Sequence, residues 1–84
     1  MMKITYSKDA VRYLNRMPAN RKRQIIAKMD QYAADPAALA NNVKPLKGGL
    51  GYRLRVGNYR VIFTVSEDTV RVLEVGPRGS IYED

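Results

Sequence analysis

With 84 residues the chain has room for one compact domain built on a thin core. It holds neither cysteine nor histidine, which excludes disulfides, thiolate or imidazole metal ligands, and nucleophiles activated by histidine. Fifteen Lys and Arg against eight Asp and Glu leave a net charge of +7, a field suited to polyanions such as nucleic acid, an anionic membrane surface or an acidic protein.

Residues 2–6 alternate apolar and polar side chains, which predicts a short half-buried strand. No apolar run approaches a bilayer span and the first residues lack a secretory h-region, so the expectation is a soluble, cytoplasmic chain with no membrane partner. Ser7 reads as an N-cap, with Asp9 placed where the helix dipole favours an acid. Ala10, Val11, Leu14 and Met17 follow at helical spacing until Pro18, giving a helix over 8–17. Asn20 is a second candidate cap, after which Ile25, Ile26, Met29, Tyr32 and Ala33 recur at intervals of three and four up to the Asp35-Pro36 stop. Two helices so close in sequence predict an antiparallel helical hairpin. Residues 36–51 read as a connecting segment, punctuated by Pro36, Pro45, Gly48, Gly49 and Gly51.

From Tyr52 onward the apolar period changes to two. Residues 52–56, 59–65 and 69–75 are β-rich runs, with Gly57-Asn58 as a two-residue hairpin signal and residues 66–69 as a second turn. The element order β-α-α-β-β-β predicts an α+β fold, a helical hairpin packed on one face of an antiparallel β-sheet, with residues 1–84 forming a single domain.

A turn at Gly57-Asn58 dictates a register. Val56 then faces Tyr59, Arg55 faces Arg60, Leu54 faces Val61, Arg53 faces Ile62 and Tyr52 faces Phe63. Tyr52, Leu54, Val56, Tyr59, Val61, Phe63 and Val65 fall on the side suited to the helices, while Arg53, Arg55 and Arg60 emerge together on the other. Two arginines directly opposed cost about 0.2–1 kcal/mol, so folding does not explain them. The ordinary explanation is a solvated sheet face covered by long stems. Against it stands the segment between Pro36 and Ser66, which has no acid but carries Lys44, Lys47, Arg53, Arg55 and Arg60. Ile62, Leu73 and Val75 are expected on the same face, where they would add an apolar docking element. The register also sets Glu74 beside Val61 on the core face, a misfit that a bulge or the edge of the helical cover would resolve. Beyond the last strand, Arg78 reads as a loop cation and Tyr82 either as an aromatic peg or as a functional phenol.

The run from Lys44 through Pro45-Leu46-Lys47-Gly48-Gly49 to Tyr52-Arg53-Leu54-Arg55-Val56-Gly57-Asn58-Tyr59-Arg60, followed by Gly76-Pro77-Arg78 and Tyr82, resembles the RelE/ParE superfamily of bacterial toxins, its RelE-like branch above all. The resemblance spans nearly the whole chain and implies the RelE-like fold. It also implies a ribosome-dependent mRNA endoribonuclease, with ParE-like poisoning of DNA gyrase and a non-cleaving RNA-binding module as the alternatives. By the same resemblance the partners are a cognate antitoxin, mRNA in the ribosomal A site and ribosomal RNA. The family pattern maps catalytic roles onto Arg53, Arg55, Arg60, Arg78 and Tyr82, and phosphate binding onto Lys44 and Lys47 with Arg53 and Arg55. Many relatives carry histidine where this chain has Pro77, and some have a C-terminal helix that has no counterpart after Tyr82.

RNA cleavage of this kind uses the substrate's own 2′-OH, so positioning and charge stabilisation suffice and no metal or cofactor is expected. The guanidinium groups would neutralise the phosphorane, Tyr82 would serve as general base with its phenolate favoured by nearby cations, and Arg78 would meet the leaving 5′-oxygen.

Overall fold

The computed structural model describes residues 1–77. In chain order the elements are strand β1 (Lys3–Tyr6), helices α1 (Lys8–Arg16) and α2 (Ala19–Ala34), and strands β2 (Val43–Pro45), β3 (Tyr52–Val56), β4 (Tyr59–Ser66) and β5 (Thr69–Pro77). Short 3₁₀ turns at Pro36–Asn42 and Lys47–Gly49 flank β2. The strands form one sheet in the order β1-β5-β4-β3-β2. The expected fold is present, a helical pair on one face of a sheet, with two additions. The segment read as a plain connection contributes β2, antiparallel to β3, and β1 joins the far edge parallel to β5 rather than antiparallel.

Ser7 ties the first helix to the sheet. Its hydroxyl accepts from the Ala10 N–H at 3.0 Å, capping α1 as expected, and donates to the Leu73 carbonyl at 2.6 Å; its own N–H donates to the Val72 carbonyl at 2.9 Å. These bonds hold a bulge, because the β4–β5 register shifts after Ile62: Ile62 pairs with Glu74 while Phe63 pairs with Val72, leaving Leu73 between them. Ser7→Ala should therefore lose both a cap and a carbonyl partner, about 1–3 kcal/mol in all, read as a lower urea midpoint, with Ser7→Thr retaining most of it.

The second helix does not start at Asn20. The Pro18 carbonyl already accepts from the Arg21 and Lys22 N–H groups at 3.0 Å, so α2 begins at Ala19 without a side-chain cap. Ile25, Met29, Tyr32 and Ala33 are its buried stripe, and Ala10 and Leu14 are that of α1. They meet Leu54, Val56, Val61, Phe63, Val70, Val72 and Val75 from the sheet. Phe63 is fully buried at the centre, with the Tyr32 ring edge-on at 4.9 Å and the Tyr52 ring stacked at 5.6 Å. Among the described residues no helix is long and apolar enough to cross a membrane.

The Tyr6 hydroxyl is buried beneath the helices and has no hydrogen-bond partner among the described residues. Burial, with a smaller contribution from the Asp30 carboxylate, raises its pKa above the ordinary tyrosine value. The neutral phenol is thus the form the fold favours. Its stability contribution is complete below the unfolded pKa of about 10 and is lost as pH climbs through the higher folded value. Tyr6→Phe should leave stability at neutral pH unchanged or up to about 1 kcal/mol higher and should flatten part of the alkaline decline in a pH series of denaturation curves. Burial also raises Tyr13 and Tyr32, which should add to the same alkaline decline.

Candidate nucleic-acid interface

The hairpin pairs as its turn demands, with Gly57 at φ 58° and the register Val56↔Tyr59, Arg55↔Arg60, Leu54↔Val61, Arg53↔Ile62 and Tyr52↔Phe63. Leu54, Val56, Val61 and Phe63 belong to the core beneath the helices, so Arg53, Arg55 and Arg60 share the opposite face of the sheet. Strand β2 extends that face: Lys44 pairs with Arg53. Lys44, Arg53 and Arg55 then line a recess of 150 Å³ together with Asn41 and Asn42. These two asparagines were not singled out from sequence, although amides immediately before a cationic strand are a natural complement to a phosphate site.

Two expectations are corrected here. The three arginines do not all emerge into solvent: Arg55 is exposed, whereas Arg53 and Arg60 retain only 6% and 8% of their accessible surface. Ile62, whose register partners are Arg53 and Glu74, is itself 1% exposed on this face, consistent with long arginine stems lying across it. Neither Arg53 nor Arg60 is a free cation. The second correction concerns β5. The bulge at Leu73 inverts the alternation beyond it, so Val75 pairs with Val61 and joins the core, while Glu74 pairs with Ile62 on the cationic face. Val75 is therefore not part of an apolar strip beside the arginines, and Glu74 ceases to be a misfit. It lines a shallow recess with Asp9, Arg12, Tyr13 and Arg16, at the margin where α1 meets β5.

Lys47 lies on the 3₁₀ turn at Lys47–Gly49, exposed and outside the recess that holds Lys44. Arg78 and Tyr82, the remaining residues expected at the site, lie outside the described residues. Among the described residues no three of His, Cys, Asp or Glu gather where they could hold a metal ion.

Chemically, the face offers fixed planar donors. A guanidinium stays protonated across the biological pH range and presents its N–H groups in a fork that matches two phosphate oxygens. Donors that folding has already removed from water act on a developing negative charge with little reorganisation, which is the requirement for transition-state stabilisation.

The family model for the ParE toxin of type II toxin–antitoxin systems, parDE, matches residues 4–82. Toxin RelE3 of Methanocaldococcus jannaschii is 36% identical over 85 residues, covering 98% of this chain and 97% of that protein. Among solved structures, the archaeal RelE–RelB complex from Pyrococcus horikoshii OT3 contains a chain 27% identical to this one. The two superpose with a TM-score of 0.79 over 94% of this chain and 97% of that one. The RelB–RelE antitoxin–toxin complex from Methanococcus jannaschii gives 29% identity and a TM-score of 0.72 over 92% and 93%.

Proposed function

The chain belongs to the ParE toxin family of type II toxin–antitoxin systems, and from that premise we propose that it is an endoribonuclease toxin that cuts mRNA in the ribosomal A site and is held in check by a cognate antitoxin. The observation that carries this reading is the grouping of Lys44, Arg53, Arg55 and Arg60 on the sheet face turned away from the helices. The 36% identity to a RelE toxin and the likeness to toxins solved with RelB support the same branch.

In this reading the 2′-oxygen of the substrate attacks the adjacent phosphorus. The P–O5′ bond breaks, and the products are a 2′,3′-cyclic phosphate and a free 5′-OH. Arg53 and Arg60 neutralise the phosphorane from desolvated positions, and Arg55 with Lys44 and Lys47 holds flanking phosphates. Tyr82, as its phenolate, takes the proton from the 2′-OH. The leaving 5′-oxygen takes its proton from solvent water while Arg78 stabilises the charge on it, a largely electrostatic role because arginine is a reluctant acid. The charge is met by guanidinium groups, so the step calls for no metal. The ribosome supplies substrate alignment, and the isolated protein is a slow nuclease.

The family model carries the ParE name, which favours one second reading, a gyrase poison that cuts no RNA. Mapping transcript 5′ ends after brief induction separates the two. New 5′-OH ends within translated reading frames, lost in a Tyr82→Phe chain, are the expected result. Intact transcripts accompanied by DNA damage would overturn the proposal in favour of the second reading.

A further inference from the structure

At the opposite end of β3 from the Gly57-Asn58 turn, Tyr52 keeps 36% of its surface exposed although its ring stacks on the buried Phe63 at 5.6 Å and 27°. It lines a cleft of 260 Å³ together with Pro45, Leu46, Gly49, Gly51, Thr64 and Val65. Three of the large apolar residues the fold leaves exposed, Leu50, Tyr52 and Val65, belong to this region. The wall on the loop side is nearly bare backbone: a Cβ on Gly51 would sit 2.5 Å from the Phe63 carbonyl oxygen, and one on Gly49 would project into open space. An aromatic ring held flat by a buried partner, beside a cleft that two glycines leave open on one side, is what a planar ligand needs in order to stack.

The cations beside the cleft say which planar ligand. Among the described residues no charged one lines the cleft itself, but Lys44 precedes Pro45, the register partner of Tyr52, and Lys47 follows Leu46, so a cation flanks the lining pair on either side in the chain. Lys44 in turn pairs with Arg53, the neighbour of Tyr52 on β3, whose side chain enters the phosphate recess on the other face. The sheet thus changes from phosphate-binding to ring-stacking within a single residue step. We propose that Tyr52 is a stacking platform for an unpaired nucleobase of the RNA whose phosphates lie along Lys44 and Arg53. This inference deepens the proposed function and rests on it. It adds a nucleobase subsite that tolerates any base, since every base offers a π-face.

The chain contains no tryptophan, so Tyr52→Trp creates a single indole at the platform. The probe is a hexa-adenylate with 2′-O-methyl riboses, which cannot be cleaved, and its control is an abasic strand of equal length and charge. The expected result is saturable quenching of the indole by the hexa-adenylate and little by the abasic strand. In wild-type background, Tyr52→Leu should weaken hexa-adenylate binding roughly five- to hundredfold while Tyr52→Phe stays within about twofold, the range set by loss or retention of one base–aromatic stack. Melting curves of the two variants identify any loss due to unfolding, and retention by Tyr52→Phe keeps the comparison meaningful if the leucine variant is unstable.

Equal affinity of the Tyr52→Leu and wild-type chains, or equal quenching by the abasic strand, would overturn the inference. If Arg55→Glu abolishes binding in that same experiment, the proposed phosphate face survives and only the stacking platform fails. Quenching by an antitoxin but not by the oligonucleotide assigns the cleft to protein docking and overturns it as well. An absence of RNA binding by every form would sink both the platform and the phosphate face.

Discussion

Arg60→Ala is expected to slow single-turnover cleavage of mRNA on programmed ribosomes by at least about 10²-fold, the range seen when one preorganised donor is removed from a site of developing negative charge. The size of the effect follows from its position. Arg60 stands opposite Arg55 in the hairpin yet retains only 8% of its accessible surface. Two facing guanidinium groups repel, and desolvating one adds to the cost, so this arrangement consumes stability that folding would otherwise retain. The same desolvation makes the charge act through a weakly screening medium, where it stabilises a phosphorane far better than a solvated cation would. Arg60→Lys keeps the charge but loses the fork, and should recover only part of the rate. Arg55→Glu, at an exposed position, should act differently: it weakens substrate binding in a salt-dependent manner and has less effect on the rate at saturation. A wild-type rate for a folded Arg60→Ala chain would remove the cationic face from the mechanism.

What the residue pattern revealed and what it hid divide along a physical line. The β3–β4 register follows from a two-residue turn, a local device, and every pair from Tyr52↔Phe63 to Val56↔Tyr59 is as the turn dictates. Alternation along β3 and β4 likewise told which side Arg53, Arg55 and Arg60 occupy. It could not tell depth, because face is a property of one strand and burial a property of everything above it, so Arg53 and Arg60 were expected in solvent. The bulge at Leu73 was half legible: Glu74 falling on the core face pointed either to a bulge or to the edge of the helical cover, and what decides for the bulge is the hydroxyl of Ser7, 66 residues away in the chain. Its consequence for the site is direct, since it sets Glu74 rather than Val75 beside the arginines. Strand β2 escaped notice because it is three residues long and ends in Pro45, and a proline ordinarily argues against a strand unless that strand lies on an edge, as this one does. With β2 unrecognised, the pairing of Lys44 with Arg53 and the nearby amides of Asn41 and Asn42 could not be foreseen.

Gly51→Ala should be among the most damaging single-methyl additions in the chain. Gly51 has φ 119°, outside the range an L side chain adopts without strain, which alone costs about 1–3 kcal/mol. Its new Cβ would lie 2.5 Å from the Phe63 carbonyl oxygen and 3.1 Å from Thr64 Cγ2. The first of these is backbone in the central part of β4 and cannot swing aside, so relief requires a shift of the strand itself, costing roughly another 1–3 kcal/mol. The carbonyl of Gly51 also accepts the Leu46 N–H at 2.8 Å, the bond that closes the glycine-rich turn and delivers the chain into β3. A total of about 2–6 kcal/mol is a large part of the stability of so small a domain and corresponds to a fall in Tm of roughly 10–40 °C. Gly48→Ala is the matched control. Its φ of 74° is also left-handed, but its Cβ would meet nothing within 4 Å, so it should cost only about 1–2 kcal/mol. Equal melting temperatures for the two variants would show that the approach of Gly51 to β4 is not what holds the turn in place. A much lower one for Gly51→Ala, with weaker RNA binding at a temperature where the chain is still folded, would link the turn to the alignment of Lys44, Tyr52 and Arg53.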